Sequence, residues 1–357
     1  MQIPVRHAVF SSPDYPFDPV SAPVKLDQNE SSEDFPDDLK ALVLKRVAAA
    51  EWNRYPDLHA DTLCAAIAGF EQWSPSGVVV TTGSNVLISL LIQLSALGGR
   101  VVTVKSNFAL YGLDAQLLGS RLSEVPLRED HSVDFDAVIA ELEGASAHAD
   151  EPAGVIYLPR PHAPTGCQCP LDELERLAQL SRGWLLVIDE AYVHFGEGSA
   201  AELARRHTHV VLLRTFSKAW GLAGARVGYA LTSDAVARQL RKLVPPFAVS
   251  VMQSECIRVA LENPGYMHER VQGIVRERDR ITRALSDHPT WKVSPSSGNF
   301  LLIRTPDAQQ AFDHLLTNGV LVRRQDRHFG LEGCIRVTVG TRAENDAFLR
   351  AAHAAPR

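Results

Sequence analysis

The feature that most restricts the fold is a series of short apolar segments that alternate with longer amphipathic ones. The apolar segments are Gly77–Val80, Val101–Lys105, Gly154–Leu158, Trp184–Glu190, Val210–Leu213 and Arg226–Leu231. Apolar runs of this length are typical of strands buried on both faces, and helices between such strands are typical of a parallel sheet. We therefore predict an α/β fold in which helices cover both faces of a parallel sheet.

The pattern changes after Leu231, where a long helical region and then short strands follow. At 357 residues the chain is long enough for two domains. We predict an extended, proline-rich arm over residues 1–26, a large α/β domain over 27–250 and a smaller α+β domain over 251–357. The helices predicted for the large domain are Pro36–Ala50, Leu58–Ala68 (ended by Gly69), Val86–Leu97, Phe108–Leu118, Leu171–Arg182 and Asp234–Leu243.

Composition excludes several classes of function. The net charge is −6, so no basic field points to nucleic acid or to an anionic membrane. The longest apolar stretch, Val86–Leu97, is too short to span a bilayer, and the first residues lack the apolar core of a signal peptide. Five scattered cysteines predict reduced thiols in the cytoplasm and no metal site.

A lone lysine, Lys218, stands in a glycine-rich stretch that follows the strand Val210–Leu213. Apolar residues surround it in sequence, and the arginines Arg214 and Arg226 flank it. Such surroundings disfavour a charged amine and favour its attack on a carbonyl. Ser217 and Arg226 are residue types that hold a phosphate. Together these residues favour pyridoxal phosphate, although a lysine that merely closes a strand–loop junction remains an alternative.

A second phosphate signal lies at Gly83-Ser84, between a predicted strand and a predicted helix. Such a junction points backbone N–H groups at an anion, but Ser84 could equally be only the N-cap of its helix. Gly83, Asp189 and Lys218 all follow or end predicted strands. Because ligands of parallel sheets bind at the carboxyl ends of the strands, we expect these residues to share one site.

Five motifs add a resemblance to a known family, and they are Asn53–Pro56, Asp189–Tyr192, Arg214–Lys218, Leu222–Arg226 and Cys334–Gly340. With them, nearly the whole chain resembles the fold-type I PLP-dependent aminotransferases, and within them the histidinol-phosphate aminotransferases. The resemblance implies a mostly parallel seven-stranded sheet sandwiched by helices, plus a smaller α+β domain. It also implies a cytoplasmic homodimer of histidine biosynthesis that converts histidinol phosphate and 2-oxoglutarate into imidazole acetol phosphate and glutamate.

The resemblance assigns roles around the cofactor. Lys218 links covalently to pyridoxal phosphate and moves the α-proton of the substrate, Asp189 pairs with the pyridine nitrogen, and Tyr192 donates to the phenolic oxygen. The other residues matched to cofactor binding are Ser84, Asn85, Phe108, Ser217, Arg226 and, reaching over from the partner subunit, Tyr55. Of these, Ser84, Ser217, Arg226 and Tyr55 match phosphate-binding positions, and Phe108 matches the aromatic that stacks on the ring.

The resemblance also assigns a substrate side. Arg336 matches the residue that takes the α-carboxylate of glutamate and 2-oxoglutarate, a bidentate pairing that suits arginine. Tyr15, Asn29 and Arg323 match positions that contact histidinol phosphate. For Arg323 and its neighbour Arg324, a solvated surface pair is the alternative.

One departure stands out, because Ala163 occupies the place of a family asparagine that hydrogen-bonds the phenolic oxygen. The neighbouring His162 could replace that donor or could simply cap the turn. The departure leaves other outcomes open: an aminotransferase for aromatic or other amino acids, or a decarboxylase of the threonine-phosphate type. A PLP-binding domain kept for regulation is a further alternative, which the presence of Lys218, Asp189 and Tyr192 disfavours.

Overall fold

The computed structural model describes residues 4–15, 19–142 and 154–355 of the chain. Its helices are α1 (His7–Ser11), α2 (Asp37–Ala49), α3 (Asp61–Glu71), α4 (Ser84–Ser95), α5 (Leu110–Leu118), α6 (Phe135–Leu142), α7 (Leu171–Leu180), α8 (Ala201–Arg206), α9 (Asp234–Arg241), α10 (Val251–Glu262), α11 (Gly265–Ala284), α12 (Ala308–Thr317) and α13 (Arg342–His353). Its strands are β1 (Val24–Lys25), β2 (Val78–Thr81), β3 (Arg100–Val104), β4 (Arg121–Val125), β5 (Gly154–Pro159), β6 (Trp184–Asp189), β7 (Val210–Thr215), β8 (Gly228–Leu231), β9 (Lys292–Val293), β10 (Phe300–Arg304), β11 (Val320–Leu321), β12 (Arg323–Arg324) and β13 (Cys334–Thr338).

The main sheet has seven strands in the order β2-β8-β7-β6-β5-β3-β4. Strands β3 to β7 pair in parallel, whereas β8 runs antiparallel to both of its neighbours. The predicted mostly parallel, seven-stranded sheet is therefore confirmed. The carboxyl ends of its parallel strands lie along the same side of the sheet, and the candidate site lies there.

Alternate residues of each central strand enter two separate hydrophobic cores. In β6, Leu186 and Ile188 belong to one core and Leu185 and Val187 to the other. This alternation follows from the two-residue repeat of a strand. The first core also includes residues of α2, α3, α7 and α10, and the second residues of α4, α5 and α9. Helices thus cover both faces of the sheet, as predicted.

A third core, which includes Leu26, Trp291 and Phe348, is formed mainly by elements that follow α10. There, β12-β13-β10-β9 form an antiparallel sheet, and β1 pairs in parallel with β11. Leu26 belongs to this third core, although it is distant in sequence from the other members, so the start of the chain is tied to its end. The division at residues 26 and 250 stays a prediction.

Several element bounds differ from the sequence prediction. Helix α3 continues through Gly69 and ends before Gln72, which adopts the left-handed conformation at the C-cap. Gly69 lies within the helix, where a single glycine is tolerated at a cost of about 1 kcal/mol, and a β-carbon there would meet open space. The predicted extended arm contains the short helix α1, and β4 and α6 were not predicted. Within the described ranges, no helix is long and apolar enough to cross a membrane.

Candidate active site

A cavity of about 440 Å³ opens at the carboxyl ends of β2, β3, β5, β6 and β7. It is lined by twelve of the thirteen residues that the sequence assigned to the site: Tyr15, Asn29, Ser84, Asn85, Phe108, Asp189, Tyr192, Ser217, Lys218, Arg226, Arg323 and Arg336. Tyr55 is the exception. The strand ends therefore bring together residues that lie up to about 320 positions apart in the chain.

Asp189 is the last residue of β6, and it is a buried residue that lines the cavity. Its Oδ2 accepts a hydrogen bond from the Tyr111 hydroxyl at 2.7 Å, and its Oδ1 accepts one from the main-chain N–H of Ala191 at 3.0 Å. Burial raises the pKa of Asp189, while these two hydrogen bonds oppose the rise. A cationic ring nitrogen in the cavity would offset the remaining cost of burying this carboxylate.

Two stacked tyrosines hold Asp189 in place, one through a hydrogen bond and the other by packing against the first. Tyr111 and Tyr157 are fully buried, and their ring centroids lie 4.9 Å apart at an interplanar angle of 9°. The Tyr157 hydroxyl donates to the Ile88 carbonyl oxygen at 2.7 Å. Because both hydroxyl groups are hydrogen-bonded, the rings are fixed in place and so is the carboxylate that Tyr111 contacts.

Lys218 follows β7, and its Nζ donates to the Gln28 carbonyl oxygen at 3.0 Å. Nζ also lies 5.8 Å from the centre of the Tyr192 ring. The loop that carries the lysine is anchored at the Trp220 carbonyl oxygen, which accepts hydrogen bonds from Tyr266 and Arg270 on α11. The amine therefore projects from a fixed loop into the cavity.

An anion-binding region, here called the phosphate corner, is formed by Gly83, the start of α4, Ser217 and Arg226. Gly83 is the N-cap, and Ser84 is the first helical residue. The alternative in which Ser84 only caps the helix is therefore wrong. Gly83 has φ +94°, and a β-carbon there would lie 2.7 Å from Arg226 Nη2, so only glycine allows the guanidinium this close. The Thr215 hydroxyl donates to Ser217 Oγ, which leaves the Ser217 proton available to a ligand.

A second cationic part of the cavity comes from β12 and β13. Arg336 donates from Nη2 to the Asp27 carbonyl oxygen at 2.6 Å, whereas its buried Nε has no partner among the described residues. Burial lowers the pKa of the Arg336 guanidinium. Arg323 lines the cavity, while its neighbour Arg324 is paired with Asp326 at 2.6 Å. Only the first of these two side chains lines the cavity, because the side chains of successive residues in a strand point to opposite faces.

Three further residues of interest lie outside the cavity lining. Tyr55 is 83% exposed and stacks on Phe247 with ring centroids 4.7 Å apart. His162 is fully buried, with Nδ1 2.8 Å from Thr165 Oγ1, and burial lowers its pKa to about 3. Arg214 points away from the cavity and pairs with the buried Glu190 and with Glu71, whose side chain is largely buried. It is therefore not a cation beside Lys218, as its sequence position had suggested.

Sequence analysis missed several residues of the cavity, including Tyr111, Asp27, Asn107, Gln325 and His328. Tyr111 had a usable signal, since it stands three residues after Phe108 at the start of a helix and therefore on the same face. The others lie on irregular loops or at strand ends, where no periodic pattern shows the direction of a side chain. Among the described residues, no cluster of His, Cys, Asp and Glu could hold a metal ion.

These groups fit pyridoxal phosphate on several independent points. The corner formed by Gly83, the start of α4, Ser217 and Arg226 suits a phosphate. The buried Asp189 suits a protonated ring nitrogen, and the Lys218 amine suits the carbonyl carbon of the cofactor. The cavity volume is in the range of ordinary cofactor and substrate sites.

Fold and cavity together define a PLP-dependent transferase of fold type I. The model of the family described as aminotransferase class I and II matches residues 21–351. The chain belongs to this family, among the histidinol-phosphate aminotransferases. It is a PLP-dependent aminotransferase.

Two relatives and one solved structure document the similarity. The histidinol-phosphate aminotransferase of Deinococcus radiodurans is 48% identical over 349 residues, which are 97% of this chain and 95% of that protein. That of Thermococcus kodakarensis is 38% identical over 326 residues, 91% of this chain and 90% of its own. The crystal structure of histidinol-phosphate aminotransferase from Sinorhizobium meliloti in complex with pyridoxal-5'-phosphate has a TM-score of 0.83 and 27% sequence identity, and it covers 94% of this chain and 91% of that chain.

Proposed function

We propose that this aminotransferase exchanges an amino group between histidinol phosphate and 2-oxoglutarate, giving imidazole acetol phosphate and glutamate, in histidine biosynthesis. The observation that carries the proposal is the pair Arg323 and Arg336, which adds a second cationic region to a cavity that already has a phosphate corner. Arg336 keeps an unpartnered, buried Nε, a donor that a carboxylate satisfies. The names of the relatives support the same substrate.

Each side chain then has a definable task. Bound pyridoxal phosphate supplies an electron-withdrawing ring that makes the α-proton of the substrate acidic. Lys218 Nζ takes this proton as a base and returns it as an acid. Asp189 holds the ring nitrogen in its protonated form, and Tyr111 and Ala191 hold Asp189. Arg336 binds the α-carboxylate of glutamate or 2-oxoglutarate and thereby limits rotation of that substrate in the cavity.

We further propose that the enzyme is a cytoplasmic homodimer with shared active sites. Tyr55 supports this proposal, because a tyrosine assigned to the cofactor phosphate is 83% exposed and does not line the cavity of its own chain. Its stacking partner Phe247 is exposed as well, so the pair offers an aromatic surface to another subunit. All five cysteines are unpaired, which suits a reducing compartment.

The test is a panel of amino donors, given one at a time to the purified, PLP-loaded protein. Glutamate and histidinol phosphate should each convert the cofactor to its amino form, read as a change in the visible absorbance. Phenylalanine should react more slowly, and phosphothreonine should release no carbon dioxide. Faster conversion by phenylalanine than by histidinol phosphate, or carbon dioxide from phosphothreonine, would replace the proposed substrate with one of the alternatives.

Two arginine variants sharpen this test. Arg336→Ala should weaken the reaction of glutamate by about 2–5 kcal/mol, the typical cost of removing one partner of a buried charge pair. Arg323→Ala should instead act mainly on the phosphorylated substrate. Arg324→Ala is the matched control, because Arg324 adjoins Arg323 in β12 and is paired with Asp326. This variant should leave the reactions of both substrates unchanged. Equal losses for both substrates in both variants would show that the arginines do not divide the substrates in this way.

A further inference from the structure

Asn29 is a buried residue whose polar groups are all hydrogen-bonded. It is 1% exposed and adopts a left-handed conformation with φ +54°. Its main-chain N–H donates to Thr338 Oγ1 at 2.9 Å, and its carbonyl oxygen accepts from the Asn299 amide at 3.0 Å. Its side-chain Nδ2 donates to the Tyr192 hydroxyl oxygen at 2.9 Å. The residue is thus held by β13 and by the loop before β10 while it contacts Tyr192.

The Asn29 amide lies between two hydroxyl groups, those of Thr338 and Tyr192. Thr338 Oγ1 already accepts the main-chain N–H of Asn29, so its single proton is free to be donated to Asn29 Oδ1, 3.2 Å away. In this arrangement Oδ1 accepts on the Thr338 side, and Nδ2 faces Tyr192. The Tyr192 oxygen accepts this bond, which leaves its own proton available for donation into the cavity.

We propose that Asn29 is a positioning residue that directs and strengthens the Tyr192 hydroxyl as the donor to the phenolic oxygen of the cofactor. A hydroxyl that accepts one hydrogen bond becomes a better donor in the next, because bonded groups polarise one another. This function matters here because Ala163, which lines the same cavity, has no polar side chain to donate. Asn29 thus raises the strength of the Tyr192 donor where a second donor is lacking.

The inference rests on the proposed role of Tyr192, and a titration without any substrate tests it. A donor to the phenolic oxygen withdraws charge and makes the neighbouring cofactor-linked nitrogen of Lys218 easier to deprotonate. The pKa read from the visible absorbance of the loaded protein should therefore rise when the donor weakens. Besides Tyr192, Lys218, Arg336, Asp189 and Tyr111 are ionisable groups close to this point, and none of them is changed. The other ionisable residues that line the cavity are also unchanged, namely Tyr15, Asp27, Glu30, Arg226, Arg323 and His328.

The main variant is Asn29→Gly, which removes the amide and keeps a residue suited to positive φ. We expect the visible pKa to rise by roughly 0.3 unit, a fraction of the rise of roughly 0.7 unit expected for Tyr192→Phe. In the Tyr192→Phe background, Asn29→Gly should add no further change. Thr338→Val, which removes the group that orients the amide, should give a smaller rise by the same route.

Asn107→Ala is the matched control. Asn107 also lines the cavity, but its Nδ2 is used by Thr103 Oγ1 and the Val104 carbonyl oxygen, so its removal should leave the titration unchanged. A shift in Tyr192→Phe without one in Asn29→Gly would overturn the role of Asn29 and leave that of Tyr192 intact. A shift from Asn29→Gly that persists in the Tyr192→Phe background would overturn the route through Tyr192. No shift in any variant would overturn the role of Tyr192, while the amino-donor panel would still stand.

Discussion

At the scale of single residues, the cavity holds one substitution that changes the chemistry of its wall. Ala163 lines the cavity with only a methyl group, at the position where the resemblance described above implies an asparagine. The adjacent His162 does not line it, since its imidazole is buried and its Nδ1 is engaged with Thr165. The histidine therefore holds the turn, and under the proposed role of Tyr192 that tyrosine would be the donor to the phenolic oxygen of the cofactor.

This difference predicts the effect of restoring the amide. Ala163→Asn should lower the pKa read from the visible absorbance of the loaded protein by about half a unit to one unit, the value of one added neutral hydrogen bond. His162→Ala should change that pKa little, because the ring is outside the cavity. A marked rise in His162→Ala together with no effect of Ala163→Asn would identify His162 as the replacement donor instead.

Some of these residues were predictable from the sequence and others were not. Lys218, Asp189 and Gly83 follow or end strongly apolar strands, so their place at one sheet edge follows from the strand pattern. The Tyr111–Asp189 and Asn29–Tyr192 hydrogen bonds join residues 78 and 163 positions apart. No local pattern reports such a contact, because it depends on how separate elements pack.

At the scale of elements, three strands and one helix are joined by a buried charge cluster. Arg214 of β7 contacts Glu190, which follows β6, at 2.8 Å, and it also contacts Glu71 at the end of α3. The Tyr229 hydroxyl of β8 donates to Glu71 as well. Burial opposes the charge of Arg214, but the facing glutamates raise the pKa of its guanidinium. The cluster therefore links β6, which ends in Asp189, to β7, which precedes Lys218.

Removing the cation should therefore destabilise the fold. Arg214→Ala removes the cation that faces the buried Glu190 and the largely buried Glu71, and it should lower the free energy of unfolding by about 3–5 kcal/mol, measured by urea denaturation of the unloaded protein. Arg176→Ala removes an exposed arginine that contacts Asp136 and Glu173, and it should cost about 0–1 kcal/mol. A loss below about 1 kcal/mol in Arg214→Ala would mean that the cluster relaxes or hydrates without cost.

Element prediction from sequence was best for the central strands and weakest at the edge of the sheet. Strand β6 is buried throughout, so its apolar run was plain. Strand β4 lies at the edge, and most of its residues are exposed or half-buried, so it lacks an apolar run. Residues 320–322 are a continuous apolar run, yet β11 and β12 on either side of Val322 belong to different sheets. The chain changes sheets at Val322, which the apolar pattern does not signal.

At the scale of the whole molecule, one assigned site residue faces away from the cavity of its own chain. Tyr55 and Phe247 form an exposed aromatic pair, and a homodimer would place Tyr55 in the site of the other subunit. Two defective subunits should then complement each other. In a dimer of Tyr55→Ala with Lys218→Ala, one site has both an intact lysine and an intact tyrosine.

Mixing the two variants, each nearly inactive alone, should restore up to about a quarter of the wild-type activity. This value follows because half of randomly mixed dimers are heterodimers, each with one intact site. Subunits are exchanged under mild denaturation, and dimers are counted by native mass spectrometry. Heterodimers that form without any recovered activity would refute the shared site.

Lys218→Ala alone should still bind pyridoxal phosphate, since the phosphate corner and Asp189 remain.

The anchoring of Asn29 by Thr338 has a consequence for the order of events during synthesis. The two residues are 309 positions apart, and Thr338 lies in the last strand of the chain. At about 5–20 residues per second, a ribosome completes that strand roughly 15–60 s after Asn29 has been made. All strands of the main sheet have emerged before then, but the Tyr192 side of the cavity is still without its support. A nascent chain that stops short of β13 can therefore form the phosphate corner but lacks the Thr338 hydroxyl that holds Asn29, so the visible pKa of the loaded protein would report whether β13 has taken its place.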